Sequence, residues 1–191
     1  MYTYCIFETK SGFFGMVALD RRLTATYLPD RISTLRAAIL KKWPQANEDP
    51  DLFPVFRRQV IDYYAGKRVR FAVSVNLEGV PPFRRAVLEA CRDVPHGATA
   101  SYAELARAAG NASATRAAGS AMAHNPLPLV IPCHRVLRAD GSIGGFSSPK
   151  GLDEKRRMLL LEGIALNASR PATRAARRAP DRHRMPAGRT R

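Results

Sequence analysis

Three short runs open the chain, residues 2–8, 13–19 and 22–28, each dense in aromatic, β-branched and other apolar residues. Lys10-Ser11-Gly12 and Asp20-Arg21-Arg22 lie between them, and polar turn triplets between such runs predict a small antiparallel sheet. Two helical patterns follow, Ile32–Trp43 and Phe53–Ala65, and then a strand at Phe71–Leu77. Gly79-Val80-Pro81-Pro82 suits no regular element and marks a boundary, which closes an N-terminal α/β domain over 1–79.

Beyond that boundary the pattern turns mostly helical. Phe83–Cys91 places Phe83, Val87, Leu88 and Cys91 on one face. Ser101-Tyr102-Ala103-Glu104 reads as a capping box opening a short helix that ends near Gly110. The next helix runs from Ser113 to His124, and Asn125-Pro126 stops it. Two short helices joined by about four residues resemble a helix-turn-helix unit. An apolar run, Leu129–Leu137, leads to a turn at Asp140-Gly141, a Gly/Ser loop at 144–148 and a helix from Gly151 to Glu162. The expected class is α/β in the α+β arrangement, with a second domain over 80–167.

Composition narrows the partner. The 191 residues carry 31 Lys+Arg against 16 Asp+Glu, a net charge of +15. That excess points to a polyanion, with nucleic acid first. Residues 168–191 hold eight Arg and one Asp and lack Leu, Ile, Val and aromatic residues, so they are expected to be a disordered basic tail. Two readings of it stand, a DNA-tethering arm and a drifting extension. Three scattered cysteines without a C-x-x-C pair argue against a disulfide framework and against zinc, and fit a reducing, cytoplasmic compartment. No signal peptide is expected at the N-terminus, and no apolar run approaches the roughly 18 residues of a membrane span.

Chemistry concentrates in the second half. The helix at 113–124 has almost no bulk beyond Arg116 and Met122, because Ala117, Ala118, Gly119, Ser120 and Ala121 lie between them. So slim a helix suits either tight helix packing or close approach to the DNA minor groove, about 6 Å wide. Arg116 at its head is either a wedge for the duplex or a solvated charge. Cys133 beside His134 invites thiolate chemistry, although a buried structural cysteine fits the spacing too. Adjacent residues of an extended segment point to opposite sides, so the two are expected to communicate through one water. Glu162 ends a helix just before Gly163, where the helix dipole disfavours a carboxylate; a histidine needing an orienting partner would explain it.

Asn125-Pro126-x-Pro128-x-x-Ile131-Pro132-Cys133-His134-Arg135-Val136, with Ser101-Tyr102 and Arg116-Ala117-Ala118-Gly119 before it, resembles the O6-alkylguanine-DNA alkyltransferase family over about residues 83–163. The N-terminal segment is compatible with the ribonuclease-H-like domain of that family. The resemblance implies irreversible, single-turnover transfer of an alkyl group from guanine O6 in double-stranded DNA to Cys133, by a monomer without cofactor. His134 becomes the water-mediated base, Glu162 its orienting partner, and Asn125 the holder of the turn into the site. Arg116 becomes the finger that replaces the flipped nucleotide, and Tyr102 helps rotate that nucleotide and assists at the base. Ala117, Gly119, Ser120, Met122 and Arg135 join them at the DNA. Tyr102, Met122, Val136, Phe146, Ser147 and Ser148 form the pocket, with the carbonyls of Cys133 and Val136 on the exocyclic amine and the Ser147 amide facing O6.

An S–C thioether has no easy leaving reaction, and the sequence places no second cysteine near Cys133 to resolve it. This chain departs from the family at Ser120, commonly Gly, at Phe146, often Tyr, and at Ser148, where members vary. Cys5 is the only Cys or His before Cys91, so the N-terminal zinc site of some members is not expected. Three alternatives differ in class. A non-catalytic lesion sensor of the same family has its acceptor cysteine replaced, whereas Cys133 is present. A helix-turn-helix regulator needs base-reading side chains that the slim helix lacks. A cysteine hydrolase needs an oxyanion hole that nothing in the sequence indicates.

Overall fold

The computed structural model describes residues 1–165, so the basic tail expected at 168–191 lies outside the described residues. The fold is α+β. Strands β1 (Tyr2–Thr9), β2 (Gly12–Leu19) and β3 (Arg22–Asp30) form an antiparallel meander. Asp20 and Arg21 between β2 and β3 both take positive φ, 47° and 58°, the signature of a two-residue type I′ turn. A short β4 (Asn47–Glu48) joins β1 in parallel, giving the order β3-β2-β1-β4.

Both faces of this sheet are covered. Helix α1 (Ile32–Lys42) closes Tyr4, Val17 and Ala25 on one face with Ile39 and Trp43. The other face carries Cys5, Phe7, Phe14, Met16 and Leu23 into a larger cluster with Phe56, Val60 and Tyr63 of α2 (Pro54–Tyr64). A bulge between Val17 and Ala18 puts Leu23 and Ala25 on opposite faces, although they are two residues apart, because Thr24 is the extra residue.

The larger cluster continues without interruption into α3 (Pro82–Arg92), α4 (Tyr102–Ala108), α5 (Thr115–Ala123) and α6 (Gly151–Leu161). The expected boundary at 79/80 therefore does not interrupt the core. Ser101 caps α4 with the reciprocal Glu104 bond that the sequence announces. Helix α5 starts two residues later than expected, because the Ser113 N–H and hydroxyl both bond the Asn111 side chain. Two two-residue strands, β5 (Ala100–Ser101) and β6 (Val136–Leu137), tie the start of α4 to the segment after Cys133.

One expected element is absent. Phe71–Leu77 forms no strand and pairs with β3 through a single Leu23–Val75 bridge, with Leu23 N–H on Ser74 O at 2.9 Å and Asn76 N–H on Leu23 O at 2.7 Å, beside which Arg22 donates to Val75 O at 3.1 Å. The ladder stops there, because at Thr26 that edge of β3 is taken by Pro126 and Pro128 and at Pro29 by Lys150. No helix among the described residues is long and apolar enough to cross a membrane.

Candidate active site

The site begins where Asn125-Pro126 ends α5. Asn125 staples the next segment from within: its Nδ2 donates to Ile131 O at 2.8 Å and its Oδ1 accepts the Leu127 N–H at 3.0 Å. Between these anchors Leu129 is buried with φ at +79°, a left-handed conformation that costs a branched aliphatic residue on the order of 1–3 kcal/mol. The chain then tightens into a 3-10 turn, Cys133–Arg135. The expectation of an extended segment is corrected here. Three residues per turn splay Cys133, His134 and Arg135 about 120° apart, and no hydrogen bond joins the side chains of Cys133 and His134 among the described residues.

His134 and Glu162 meet as expected. Both side chains are completely buried, and His134 Nε2 lies 2.7 Å from Glu162 Oε1. The same oxygen accepts from Arg135 at 2.9 Å and from the Tyr63 hydroxyl at 3.0 Å. Glu162 Oε2 accepts from Arg135 Nε at 2.8 Å and from the Gly97 N–H at 3.2 Å. Burial pushes the Glu162 carboxyl upward, but hydrogen bonds from His134 and Arg135 outweigh it and hold the group well below the ordinary carboxylate range. Burial also drives His134 below its ordinary value, against the pull of Glu162, so the ring is neutral at pH 7. The network assigns its proton to Nε2, facing the carboxylate, and leaves the buried Nδ1 a lone pair with no partner among the described residues.

Arg135, expected at the DNA, is corrected by this geometry. It is 6% exposed, and its remaining nitrogen donates to Val94 O at 2.6 Å. Its guanidinium is the buried counter-charge of Glu162. Tyr63 was not legible as a site residue, because α2 lies 71 residues before His134 and only the packed core joins them.

Lys155 is the second residue missed. It is fully buried, donates to Val136 O at 2.6 Å, and burial brings its pKa down to about 8. The signal was present: residues 155, 158, 159 and 162 fall at the spacing of one helix face, with Met158, Leu159 and Glu162 its buried companions. Burial raises the Cys133 thiol, while the Asn125 side chain and the positive charge of Lys155 oppose the rise. Cys91 shares the buried cluster, and a charge on Cys133 raises its thiol further. The expectation that no second cysteine stands near Cys133 is thereby corrected.

Two pockets open on Cys133. One, of about 290 Å³, is lined by Tyr102, Gly119, Met122, Phe146 and Ser147. The other, of about 210 Å³, reaches from Cys133 past Pro128 and Ser148 to Thr26 and Tyr27 of β3. Val136, expected in the pocket, is not among these linings; its side chain is fully buried in the core. Its carbonyl already accepts Lys155, and that of Cys133 accepts the Val136 N–H, so each retains one lone pair for a ligand. Met122 is turned inward to the pockets and is not on the exposed side of α5. That side carries Arg116, Ala117 and Ser120, while Ala118 and Ala121 pack inward, so the slim helix packs tightly on one side and leaves a side without bulk apart from Arg116.

Comparison with known proteins agrees with this geometry. A family model for the 6-O-methylguanine DNA methyltransferase DNA binding domain matches residues 82–164. A methylated-DNA–protein-cysteine methyltransferase of Mycolicibacterium paratuberculosis is 40% identical over 168 residues, which span 85% of this chain and 93% of the relative. The chain belongs to this methyltransferase family. The solved O6-methylguanine methyltransferase of Mycobacterium tuberculosis matches with a TM-score of 0.71 at 30% identity, over 88% of this chain and 97% of that one. The same organism's OGT in complex with DNA matches at 0.70 and 30% identity, over 84% and 93%. Within the methyltransferase family frame, the Cys133 turn and the exposed side of α5 lie inside the matched DNA binding domain, and Tyr63 and the β3 wall lie before it.

Proposed function

We propose that this methyltransferase repairs DNA by direct reversal, moving the alkyl group of an O6-alkylguanine onto its own Cys133 once per molecule. The thiol proton passes through one water to Nδ1 of His134, and Glu162 stabilises the imidazolium that results. The thiolate attacks the alkyl carbon, the S–C bond forms as the C–O6 bond breaks, and guanine leaves after gaining a proton with help from Tyr102. O6 lies within the stacked duplex, so the nucleotide must be extruded at a cost of a few kcal/mol. Helices α4 and α5 act as a helix-turn-helix that lays Ala117, Gly119 and Ser120 against the groove while Arg116 fills the gap. The flipped base enters the pocket walled by Tyr102, Met122 and Phe146, with the Ser147 amide at O6, and Ser148 borders the alkyl group. The alkyl group moves directly from O6 to the sulfur, so the transfer consumes no cofactor. The chain works as a monomer, with its +15 charge serving non-specific search.

The observation that carries the reading is the position of Cys133, at the mouth of two pockets and one residue before the buried His134–Glu162 pair. Incubation with a duplex containing one O6-methylguanine, followed by intact-protein mass measurement, tests it. The expected result is a single gain of one methyl in place of hydrogen, located on Cys133 and absent in Cys133→Ala. Repeated turnover, or restored guanine with unchanged protein mass, refutes it.

A further inference from the structure

Strand β3 has β2 on one edge and two loops of the site on the other. The Thr26 N–H donates to Pro126 O at 3.0 Å and its hydroxyl to Pro128 O at 2.7 Å. Three residues on, Pro29 O accepts from Lys150 Nζ at 2.7 Å. The two loops so held, 126–128 and 148–150, both contribute to the wall of the pocket that contains Cys133, through Pro128 and through Ser148 and Pro149, and Thr26 lines that pocket. Thr26 is 5% exposed, one of the few buried polar residues of the sheet.

The loop it grips is under load. Leu129 is held left-handed between the Thr26 contacts at 126 and 128 and the Asn125 contact at Ile131. Four residues after Leu129 the chain turns into Cys133, whose N–H bonds back to Ile131 O at 2.8 Å. Release of either anchor lets the strained residue relax, and the relaxation is transmitted along Ile131 to the acceptor sulfur. Asn125 is the anchor within the loop. Thr26 is the anchor from outside it, about a hundred residues away in sequence.

We propose that Thr26 is a positioning residue for alkyl transfer: from the free edge of β3 it fixes the 126–128 segment and so aims Cys133 at the bound alkyl group. The sheet is then a working part of the site. This rests on the alkyl-transfer reading above, and the experiment separates the two.

The variants are Thr26→Val, which removes the hydroxyl at nearly constant shape and keeps the N–H; Thr26→Ser, which restores the hydroxyl; and Thr24→Val on the same strand, whose hydroxyl bonds only Arg22 O. Single-turnover transfer from an O6-methylguanine duplex is measured against DNA concentration, alongside melting temperature and the rate at which iodoacetamide labels Cys133 without DNA. Thr26→Val is expected to slow saturated transfer about tenfold, as loss of a hydrogen bond that leaves a carbonyl unpaired does. Its half-saturating DNA concentration stays where it was, its Cys133 labelling rate changes, and Thr26→Ser and Thr24→Val stay within about twofold of the wild type. Wild-type transfer by Thr26→Val with only a lower melting temperature overturns the proposal, as does a loss confined to DNA affinity or a failure of Thr26→Ser to rescue. A wild-type protein that leaves the lesion intact overturns the alkyl-transfer reading, and the labelling rates still decide whether Thr26 positions Cys133.

Discussion

Glu162→Gln is the substitution with the largest expected consequence, because it strikes stability and chemistry through different partners. The amide keeps the shape of the carboxylate but loses its charge and turns one acceptor into a donor, facing Arg135 Nε and the Gly97 N–H or facing His134 and Tyr63. Arg135 is then a buried guanidinium without a counter-charge, which costs about 3–5 kcal/mol. For a chain of this size that lowers the melting temperature by about 6–20 °C. Transfer falls by about 10²–10⁴-fold, the contribution of a positioned proton acceptor, because His134 loses the partner that sets its tautomer. Adding Arg135→Met removes the stranded charge, so the double variant regains most of the stability and none of the rate. Thermal unfolding and single-turnover transfer measure the two effects separately. A double variant as unstable as Glu162→Gln alone, or one that regains transfer, refutes the division of labour.

The same groups set the acid response. Both are depressed in the folded state, so the unfolded chain binds more protons, and the stability they contribute is present at higher pH and lost on acidification. Loss begins below about pH 6.5, where the unfolded imidazole takes up a proton that His134 refuses, and steepens below about pH 4.5, where the unfolded carboxyl does the same. Urea midpoints that stay level from pH 7 to pH 4 contradict this.

Two further outcomes follow from the pocket walls. Lys155→Met removes a positive charge that opposes the burial of the Cys133 thiolate, so transfer at pH 7 slows, the deficit shrinks as pH rises, and the midpoint of the pH profile for iodoacetamide labelling of Cys133 moves upward; an unmoved midpoint contradicts it. Gly144→Ala places a Cβ 2.5 Å from the Tyr102 hydroxyl and 2.9 Å from its ring, which displaces Tyr102 from the base pocket, so transfer slows with little change in melting temperature; wild-type transfer contradicts it.

Short-range signals were legible throughout. The three opening strands, the capping box at Ser101 and the α6 terminus at Gly163, with φ at +73°, were all readable from residues within a few positions of one another. The motif around Cys133 was equally local, and the misplaced carboxylate at the end of α6 pointed to Glu162 as the partner that His134 meets. Periodicity failed at Phe71–Leu77, where Val69, Phe71, Val73 and Val75 do alternate into the core. Whether an extended segment becomes a strand depends on a free neighbouring edge, and beyond the Leu23 bridge β3 gives Thr26 to 126–128 and Pro29 to Lys150.

The amino-acid order by itself therefore determined the local elements and marked Cys133 and its neighbours as the candidate site, because helix and strand periods, caps and a contiguous motif are written within single segments. Only the tertiary structure decided what each charge is for. Arg135 and Arg116 look alike in sequence, yet one neutralises Glu162 inside the core and the other stands exposed at the head of α5. Tyr63 among the tyrosines and Thr26 among the threonines are likewise singled out only by burial, and burial gives the helix-face position of Lys155 its meaning. A buried polar group must find a partner, and that partner is chosen by packing across 19, 71, 99 or 102 residues of chain, a range over which no local pattern carries information.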